Sequence, residues 1–163
     1  VTLMITFATN QLLSKYQIIH QTGKADISKA QRLRSNLSSE IQKRYYVSSF
    51  IDQEFISAIK ISDLIVSRSG SGVFEFAASK KATILIPYPY ASNDHQTANA
   101  RFFSKKLAAK IIADNKLHYS VILAMIDNLF ADKNKIKELG KNFKESIKTN
   151  GLETIVKELI NYL

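Results

Sequence analysis

Cysteine and tryptophan are absent from this 163-residue chain, which also contains only two prolines and five glycines. Without cysteine the chain has no disulfide, no thiolate metal site and no cysteine nucleophile. No apolar run approaches the roughly 20 residues of a membrane-spanning helix, and no basic segment precedes the first apolar stretch as it does in a signal peptide. These absences favour a soluble protein of the cytoplasm, for which we expect neither a cofactor nor a metal ion.

Basic residues outnumber acidic ones by 23 to 14, which gives a formal net charge of +9. This excess favours anionic partners such as nucleic acid, nucleotide phosphates or acidic lipid. No basic run is interleaved with aromatic residues as single-strand binders require, and no zinc-finger spacing occurs. We therefore expect no nucleic-acid partner; nucleic-acid binding would instead give an affinity that depends strongly on salt.

The stretch from residue 61 to residue 75 has the pattern of an anion-binding turn. Residues 64–66 are apolar and predict a buried strand, residues 67–72 are rich in serine and glycine, and residues 73–78 predict the opening of a helix. Glycines at positions 70 and 72 would let a ligand approach the backbone, and the helix's first N–H groups would face it. The spacing matches neither the dinucleotide nor the P-loop fingerprint, so an ordinary strand-to-helix turn is an equal alternative here.

Strand and helix patterns alternate along the rest of the chain, and residues 1–14 fit a strand or a helix equally well. Such alternation implies parallel βαβ units, an open α/β sheet covered on both faces, and a single domain over residues 1–163. Ligands bind beyond the carboxyl ends of such strands, so the loops after residues 50, 66 and 86 should share one rim. We predict strands at residues 16–20, 45–50, 64–66, 82–86 and 110–112, and helices at 28–44 (capped by Ser28), about 55–59, 73–78, 96–107, 120–130, 133–147 and 151–162.

Five short motifs between about residues 16 and 112 stand in an order that is typical of a known family. The motifs are His20-Gln21-Thr22-Gly23-Lys24, Phe50-Ile51-Asp52, Ser67-Arg68-Ser69-Gly70 followed by Glu75, Ile86-Pro87-Tyr88-Pro89, and Asp94-His95-Gln96 followed by Asn99-Ala100. With them the chain resembles the C-terminal, donor-binding half of the MurG family of glycosyltransferases. The resemblance implies a Rossmann-like parallel sheet of the GT-B C-terminal type, with flanking helices and a helical C-terminal tail.

The resemblance also implies a ligand, UDP-N-acetylglucosamine, and a role for each matching position. The residue types suit these roles, because a carboxylate accepts hydrogen bonds from a vicinal diol and an amide both donates and accepts at sugar hydroxyls. A helix N-terminus likewise suits a diphosphate. The resemblance assigns the uracil to the backbone of Ile51, the pyrophosphate to Ser71, Gly72, Val73 and Phe74, the ribose hydroxyls to Glu75, and the sugar to Gln96.

The reaction implied by the resemblance is inverting transfer of N-acetylglucosamine to a lipid-linked acceptor during synthesis of the peptidoglycan precursor lipid II, part of cell-wall assembly. UDP would leave without an obligatory metal ion, and no residue is assigned to catalysis. The expected partners are UDP-N-acetylglucosamine, the lipid-linked acceptor at the membrane surface, and a missing N-terminal half or partner subunit. The expected location is the cytoplasm, with peripheral association at the inner face of the cell membrane.

The chain departs from the family pattern in three places. The turn between Gly70 and Glu75 is one residue shorter than usual, residues 1–14 lack the usual glycine-rich loop, and the N-terminal half with the catalytic base is absent. We therefore expect the chain alone to be inactive. Two alternatives stay open: a catalytic subunit of a split transferase that acts on lipid-linked sugars, and a non-catalytic nucleotide-sugar-binding remnant.

Several other polar residues have plainer interpretations. His95 beside Asp94 resembles an acid/base pair, but adjacent loop residues seldom form one, and His20 at a strand end is expected to be structural. Arg68 would contact phosphate or pair with a carboxylate such as Asp63. Tyr88, like Tyr90, would stack on a ligand or cover the sheet edge.

Overall fold

The computed structural model describes residues 11–147 and 151–162. Residues 11–15 are helical, whereas the prediction for residues 1–10 lies outside the described part. The strands are β1 (Ile18–Gln21), β2 (Tyr45–Ser48), β3 (Leu64–Ser67), β4 (Ala82–Leu85) and β5 (Lys110–Ile111). The helices are α1 (Ile27–Ser35), α2 (Ser39–Gln42), α3 (Phe55–Ile61), α4 (Val73–Ala78), α5 (His95–Lys105), α6 (Tyr119–Phe130), α7 (Lys133–Glu145) and α8 (Gly151–Asn161), with 3-10 turns at Ser92–Asp94 and Asp114–Lys116.

The strands pair in parallel, and helices flank them, which confirms the predicted α/β class. Within residues 11–147 and 151–162, the pairing consists of two groups of strands. Strand β1 pairs with β2, while β4 lies between β3 and β5 in a second sheet. The alternation of elements predicts the direction of pairing, because crossover helices join parallel strands, but it does not predict whether neighbouring ladders are continuous.

Strand β4 is the centre of the larger sheet, and its four residues are all buried. One apolar cluster covers it with residues of α6 and α7, such as Ile122 and Leu139. The other cluster joins α4 and α5 to the C-terminal part of α7, where the rings of Phe103 and Phe143 meet edge to face at 4.7 Å. Helices α6 and α7 are therefore part of the core that holds β4 in place.

Two helix predictions need correction. The helix expected over residues 28–44 is broken, because α1 ends at Ser35 and α2 begins at Ser39. Asp26 rather than Ser28 occupies the N-cap position, and the break is bridged by a bond from the Gln42 amide to the Leu37 carbonyl. Leu107, the last residue of the helix predicted over residues 96–107, lies beyond the end of α5 at Lys105. It is 71% exposed and adopts a left-handed conformation with φ of 53°.

Candidate functional site

Three consecutive backbone donors open the turn after β3. The N–H groups of Gly70, Ser71 and Gly72 have no acceptor among the described residues. The next three N–H groups, of residues 73–75, donate back to the carbonyls of residues 70–72 at 3.1–3.2 Å. The donors available to an anion therefore precede α4 and do not belong to its first turn.

The two glycines of this turn are required neither by backbone conformation nor by packing. Neither has a positive φ. A Cβ atom at Gly70 would lie 3.9 Å from Nε2 of Gln96, and one at Gly72 would lie 3.5 Å from the Phe76 ring, both ordinary contacts. Glycine at these positions leaves the backbone surface bare, which allows a ligand to approach the free N–H groups closely.

Gln96 is fixed beside this turn by hydrogen bonds at both of its ends. Its side-chain carbonyl accepts from the Tyr88 N–H at 3.0 Å, and its backbone carbonyl accepts from the buried Ser69 hydroxyl at 2.7 Å. The Asn99 amide in turn donates to the Ser69 carbonyl at 3.0 Å. Because Oε1 is occupied, the Gln96 NH2 group next to Gly70 is the part that can donate to a ligand.

The loop before Gln96 holds two non-glycine residues in the left-handed region, Asn93 with φ of 52° and Asp94 with φ of 50°. Asparagine and aspartate tolerate this conformation better than other residues, yet such strain typically costs about 1–3 kcal/mol per residue and clusters at ligand sites. The His95 ring holds the loop through its Nδ1, which lies 2.7 Å from the Ser92 carbonyl. His95 thus has a structural partner other than Asp94.

Glu75 lies in the first turn of α4 and is exposed. Its neighbours Val73 and Phe76 face the core, with 0% and 6% exposure, so the Glu75 carboxylate points to the opposite side of the helix. No described residue donates a hydrogen bond to it. Phe74 is 52% exposed and contacts Phe103 edge to face. The N–H groups of Val73 and Phe74 already donate to the carbonyls of Gly70 and Ser71, so only Ser71 and Gly72 of the four residues assigned to the pyrophosphate have a free N–H group.

Ile51 lies in the loop that follows β2 of the smaller sheet. It is buried, and its N–H donates to the side-chain carbonyl of Gln21 at 2.9 Å. Ile51 and Gly72 border the same cavity, of about 910 Å³, together with Arg68. Ile51 and Gly72 of the glycine turn thus border the same cavity. Because the Ile51 N–H already donates to Gln21, the Ile51 carbonyl is the backbone group that can still accept a hydrogen bond from a ligand.

Arg68 links the end of β3 to two neighbouring loops and pairs with Asp114. Its guanidinium donates to the carbonyls of residues 86–87 at 3.2 and 3.0 Å and to Asp114 at 2.6 Å, so Arg68 pairs with a carboxylate as predicted, but this carboxylate is Asp114 and not Asp63. It also lies over the Tyr88 ring, 5.3 Å from the centroid. These contacts tie the end of β3 to the loop after β4 and position Tyr88.

His20 and Tyr45 form a buried pair on the neighbouring strands β1 and β2. Nδ1 of His20 lies 2.8 Å from the Tyr45 hydroxyl oxygen. Burial lowers the pKa of His20, against a smaller opposing effect of Asp26, and burial raises the pKa of Tyr45 to about 12. Both effects keep the pair uncharged, which agrees with the structural role expected for His20.

Within residues 11–147 and 151–162, no helix has the length and apolar character needed to cross a bilayer. The same residues contain no cluster of three or more histidine, aspartate or glutamate side chains arranged to hold a metal ion. The polar groups that the structure brings together at the turn after β3 are instead backbone N–H groups and the Gln96 side-chain amide.

Residues 3–159 match the glycosyltransferase family 28 C-terminal domain. The chain belongs to this family. It is 39% identical over 129 residues, 78% of its length, to the UDP-N-acetylglucosamine–N-acetylmuramyl-(pentapeptide) pyrophosphoryl-undecaprenol N-acetylglucosamine transferase of Thermodesulfovibrio yellowstonii. It is 33% identical over 157 residues, 96% of its length, to the transferase of the same name from Finegoldia magna.

This family 28 domain spans 34% of the first of those relatives and 40% of the second. Its fold is similar to that of MurG from Acinetobacter baumannii, with a TM-score of 0.79 and 23% sequence identity over 99% of this chain and 46% of that one. The parallel α/β fold and the helical C-terminal end are thereby confirmed as those of a GT-B glycosyltransferase domain.

Sequence reasoning assigned no role to Ser69 or Asn99, although both stand in the motifs of the family. The structure shows that they hold Gln96 in place. The signal was available in part, since a serine in a turn commonly makes a hydrogen bond to a backbone group. Its partner on α5 depends on tertiary contacts that the sequence does not display.

Proposed function

We propose that this chain binds UDP-N-acetylglucosamine as the donor domain of an inverting N-acetylglucosaminyltransferase. The supporting observation is the position of Gln96, whose fixed amide lies beside three consecutive free N–H groups at residues 70–72. A sugar diphosphate presents hydroxyls to the amide and phosphate oxygens to the N–H groups. The names of the relatives point to the same donor.

In this proposal the diphosphate lies over the glycine turn, where the N–H groups of Gly70, Ser71 and Gly72 donate to it. Helix α4 has only six residues, so direct hydrogen bonds rather than a helix dipole provide most of the attraction. The same donors stabilise the charge that develops on UDP as it leaves, which is the role of preorganised donors in group transfer. This stabilisation requires no metal ion.

The nucleoside occupies the side of the rim toward Ile51. Its uracil N–H donates to the Ile51 carbonyl, and its two ribose hydroxyls donate to the Glu75 carboxylate. Charge-assisted bonds of this type are the stronger class of hydrogen bond. The exposed and unpartnered state of the Glu75 carboxylate supports the assignment, because no internal contact has to be broken before a ribose binds.

The acceptor follows from the relatives' name, which specifies a pyrophosphoryl-undecaprenol lipid carrying muramyl-pentapeptide. We propose that this domain serves lipid II synthesis at the inner face of the cell membrane, as a peripheral cytoplasmic protein, where its net charge of +9 favours anionic lipid. An N-terminal half or a partner subunit supplies the acceptor site and the catalytic base.

Titration calorimetry with UDP-N-acetylglucosamine, UDP and ADP tests the donor assignment. The proposal predicts binding of both uridine nucleotides, weakened because only part of a cleft is present, and much weaker binding of ADP. No heat and no thermal stabilisation at millimolar UDP would contradict it. With radiolabelled donor and a lipid-linked acceptor, we expect no transfer by this chain alone; turnover would show that the chain itself contains the catalytic base.

A further inference from the structure

The outward face of α5 carries basic and apolar side chains together. Ala98, Arg101, Phe102 and Lys105 are all exposed, and their spacing places them on one side of this helix. Phe102 is 47% exposed, although its ring meets the buried ring of Phe103 edge to face at 5.1 Å. A large apolar side chain therefore stands among cations on the surface of the protein.

Leu107 continues this surface beyond the end of α5. The N–H groups of Leu107 and Ala108 donate to the carbonyls of Ser104 and Phe103, both at 2.9 Å. This is the Schellman motif, in which the position of Leu107 is usually glycine. Leu107 instead holds the left-handed conformation with a side chain that packs against little, since it is 71% exposed. Neither the backbone nor the core accounts for a leucine here, and strain of this kind clusters at functional surfaces.

The charge around these side chains has one sign. Residues 95–113 contain four lysine or arginine residues and no acidic residue. None of Arg101, Lys105 and Lys106 pairs with a carboxylate among the described residues. The Lys106 ammonium lies over the Phe102 ring, 4.3 Å from its centroid. We call Arg101, Phe102, Lys105, Lys106 and Leu107 the α5 patch.

The α5 patch lies next to the turn that carries the free N–H groups. Phe74 is 52% exposed, and its ring contacts Phe103 with the centroids 6.2 Å apart. Phe103 in turn contacts Phe102 of the patch. Since Phe74 follows Gly72 by two residues, a surface bound to the patch would lie to one side of the donor turn.

We propose that the α5 patch binds an anionic lipid surface, with Phe102 and Leu107 entering the bilayer interface and the three cations lying at the headgroups. Lysine and arginine beside phenylalanine and leucine are the composition of interfacial membrane anchors. Anionic headgroups attract each basic residue that comes close to them. This inference rests on the membrane location of the proposed function and adds the surface that makes the contact.

Two other arrangements fit the surface less well. Nucleic acid would use the cations, but an aliphatic side chain such as Leu107 offers no stacking surface to a base. Helix α8 has a longer apolar face, but it contains two glutamates and one lysine, so anionic lipid does not favour it. The exposed apolar residues of α8 are Ile155, Val156, Leu159 and Ile160.

A single introduced tryptophan reports on the patch, because the chain has none of its own. The emission of Leu107→Trp should shift to the blue when vesicles of equal parts phosphatidylglycerol and phosphatidylcholine are added, since indole settles at the membrane interface. Ile61→Trp is the control, because Ile61 is 72% exposed but lies at the end of α3. It should show no shift. Equal shifts in the two variants, or no shift in Leu107→Trp, would overturn the proposal.

Co-sedimentation of the full chain with the same vesicles measures the contribution of charge. Arg101→Ala combined with Lys105→Ala should weaken binding about tenfold or more. Lys133→Ala combined with Lys137→Ala on α7 removes the same charge from two exposed positions with the same spacing, and it should change the affinity little. Equal losses would show that the net charge of +9 alone attracts the vesicles, which would contradict the patch.

Leu107→Gly separates lipid contact from a structural role. Glycine adopts the left-handed conformation without strain, so the melting temperature should rise by about 2–4 °C. Vesicle affinity should fall about tenfold, because the buried apolar side chain is lost. A lower melting temperature with unchanged vesicle affinity would show that Leu107 is structural and would overturn its role at the membrane.

Two further results would identify a different contact. Loss of vesicle binding in Ile155→Ser combined with Leu159→Ser would assign the membrane contact to α8, whereas the proposal predicts no change. Tighter binding to a DNA oligonucleotide than to the mixed vesicles would identify nucleic acid as the partner. The proposal predicts the reverse order, weak binding to phosphatidylcholine alone, and an affinity for the mixed vesicles that falls as salt rises.

Calorimetry with UDP on the same variants keeps this inference apart from the proposed function. The patch variants should bind UDP as the parent does. Absence of vesicle binding by a chain that binds UDP would contradict the α5 patch alone. Absence of UDP binding by a chain that binds the mixed vesicles through the patch would contradict the donor assignment alone.

Discussion

The side-chain carbonyl of Gln96 accepts a hydrogen bond from the backbone N–H of Tyr88 at 3.0 Å. This bond joins the first turn of α5 to the loop after β4 and turns the Gln96 NH2 group toward Gly70. A glutamine already held in this way loses little conformational entropy when a ligand binds. The rim is therefore prepared for its ligand by contacts within the protein.

Glu75→Ala should reduce UDP affinity about thirtyfold, equivalent to about 2 kcal/mol, because two charge-assisted hydrogen bonds to the ribose are lost. The effect on stability should be small, since a first-turn carboxylate contributes only about 0.3–1 kcal/mol through the helix dipole. Calorimetry with UDP and 2′-deoxy-UDP measures the binding change. The parent should distinguish the two nucleotides, and the variant should not.

Glu138→Ala on α7 is the control for charge, because Glu138 is also exposed on a helix but lies outside the rim. It should leave both affinities unchanged. If Glu75 served only to cap α4, its removal would lower the melting temperature without changing UDP affinity. Equal affinity of the parent for UDP and 2′-deoxy-UDP would remove Glu75 from the ribose site.

A substitution of Gln96 tests whether its side-chain amide contacts the ligand. Gln96→Glu retains an oxygen for the Tyr88 N–H but loses the NH2 donors and adds a negative charge near the diphosphate. We expect near-parental stability and about tenfold weaker binding of UDP-N-acetylglucosamine, because hydrogen bonds to the sugar are lost. Gln31→Ala, an exposed glutamine on α1, is the control. Unchanged affinity in Gln96→Glu would refute the assignment of Gln96 to the ligand.

Gly140 and Gly151 are two helical glycines with opposite surroundings. A Cβ atom at Gly140 on α7 would clash with the Lys80 carbonyl oxygen, whereas one at Gly151 on α8 would meet nothing within 4 Å. Gly140→Ala should therefore destabilise the fold by about 2–3 kcal/mol through backbone displacement, while Gly151→Ala should stabilise it by up to about 1 kcal/mol. Urea unfolding of both variants measures this difference. Similar stabilities would contradict the close packing of α7 against the β4 side of the fold.

The buried His20 should make stability depend on pH. Burial lowers its pKa below the ordinary value of 6.5, so the folded state prefers the neutral ring. Its contribution is complete above pH 6.5 and is lost as the pH falls through the lower folded-state pKa. We expect the free energy of unfolding to decrease between about pH 7 and about pH 5. His20→Gln should flatten that dependence, and the exposed His95→Gln should preserve it; equal slopes in both variants would contradict the burial effect.

Local sequence signals predicted most elements because their apolar patterns agree with their burial. Residues 82–86 formed a continuous apolar run, and β4 is the most buried strand. Residues 28–44 were wrongly predicted to form one helix, because their apolar residues keep a helical spacing beyond Asn36, where α1 ends.

The candidate site was predictable in its residue types and only partly in its geometry. The motifs led to the turn at Gly70 and to Gln96, which the structure brings together. The partner of Arg68 was not predictable, since Asp114 lies 46 residues away in sequence. The position of the free N–H groups also required the structure, because the turn's internal hydrogen bonds decide which donors remain.

Amide chemical shifts recorded during a UDP-N-acetylglucosamine titration test the central claim most directly, since each backbone N–H and each side-chain amide gives its own signal. The account predicts that the largest changes occur at the N–H groups of Gly70, Ser71 and Gly72 and at the Gln96 NH2 group. Smaller changes are expected at Ile51 and Glu75. Changes confined to the exposed lysines of α7, or no changes at a saturating donor concentration, would contradict a donor site at this rim.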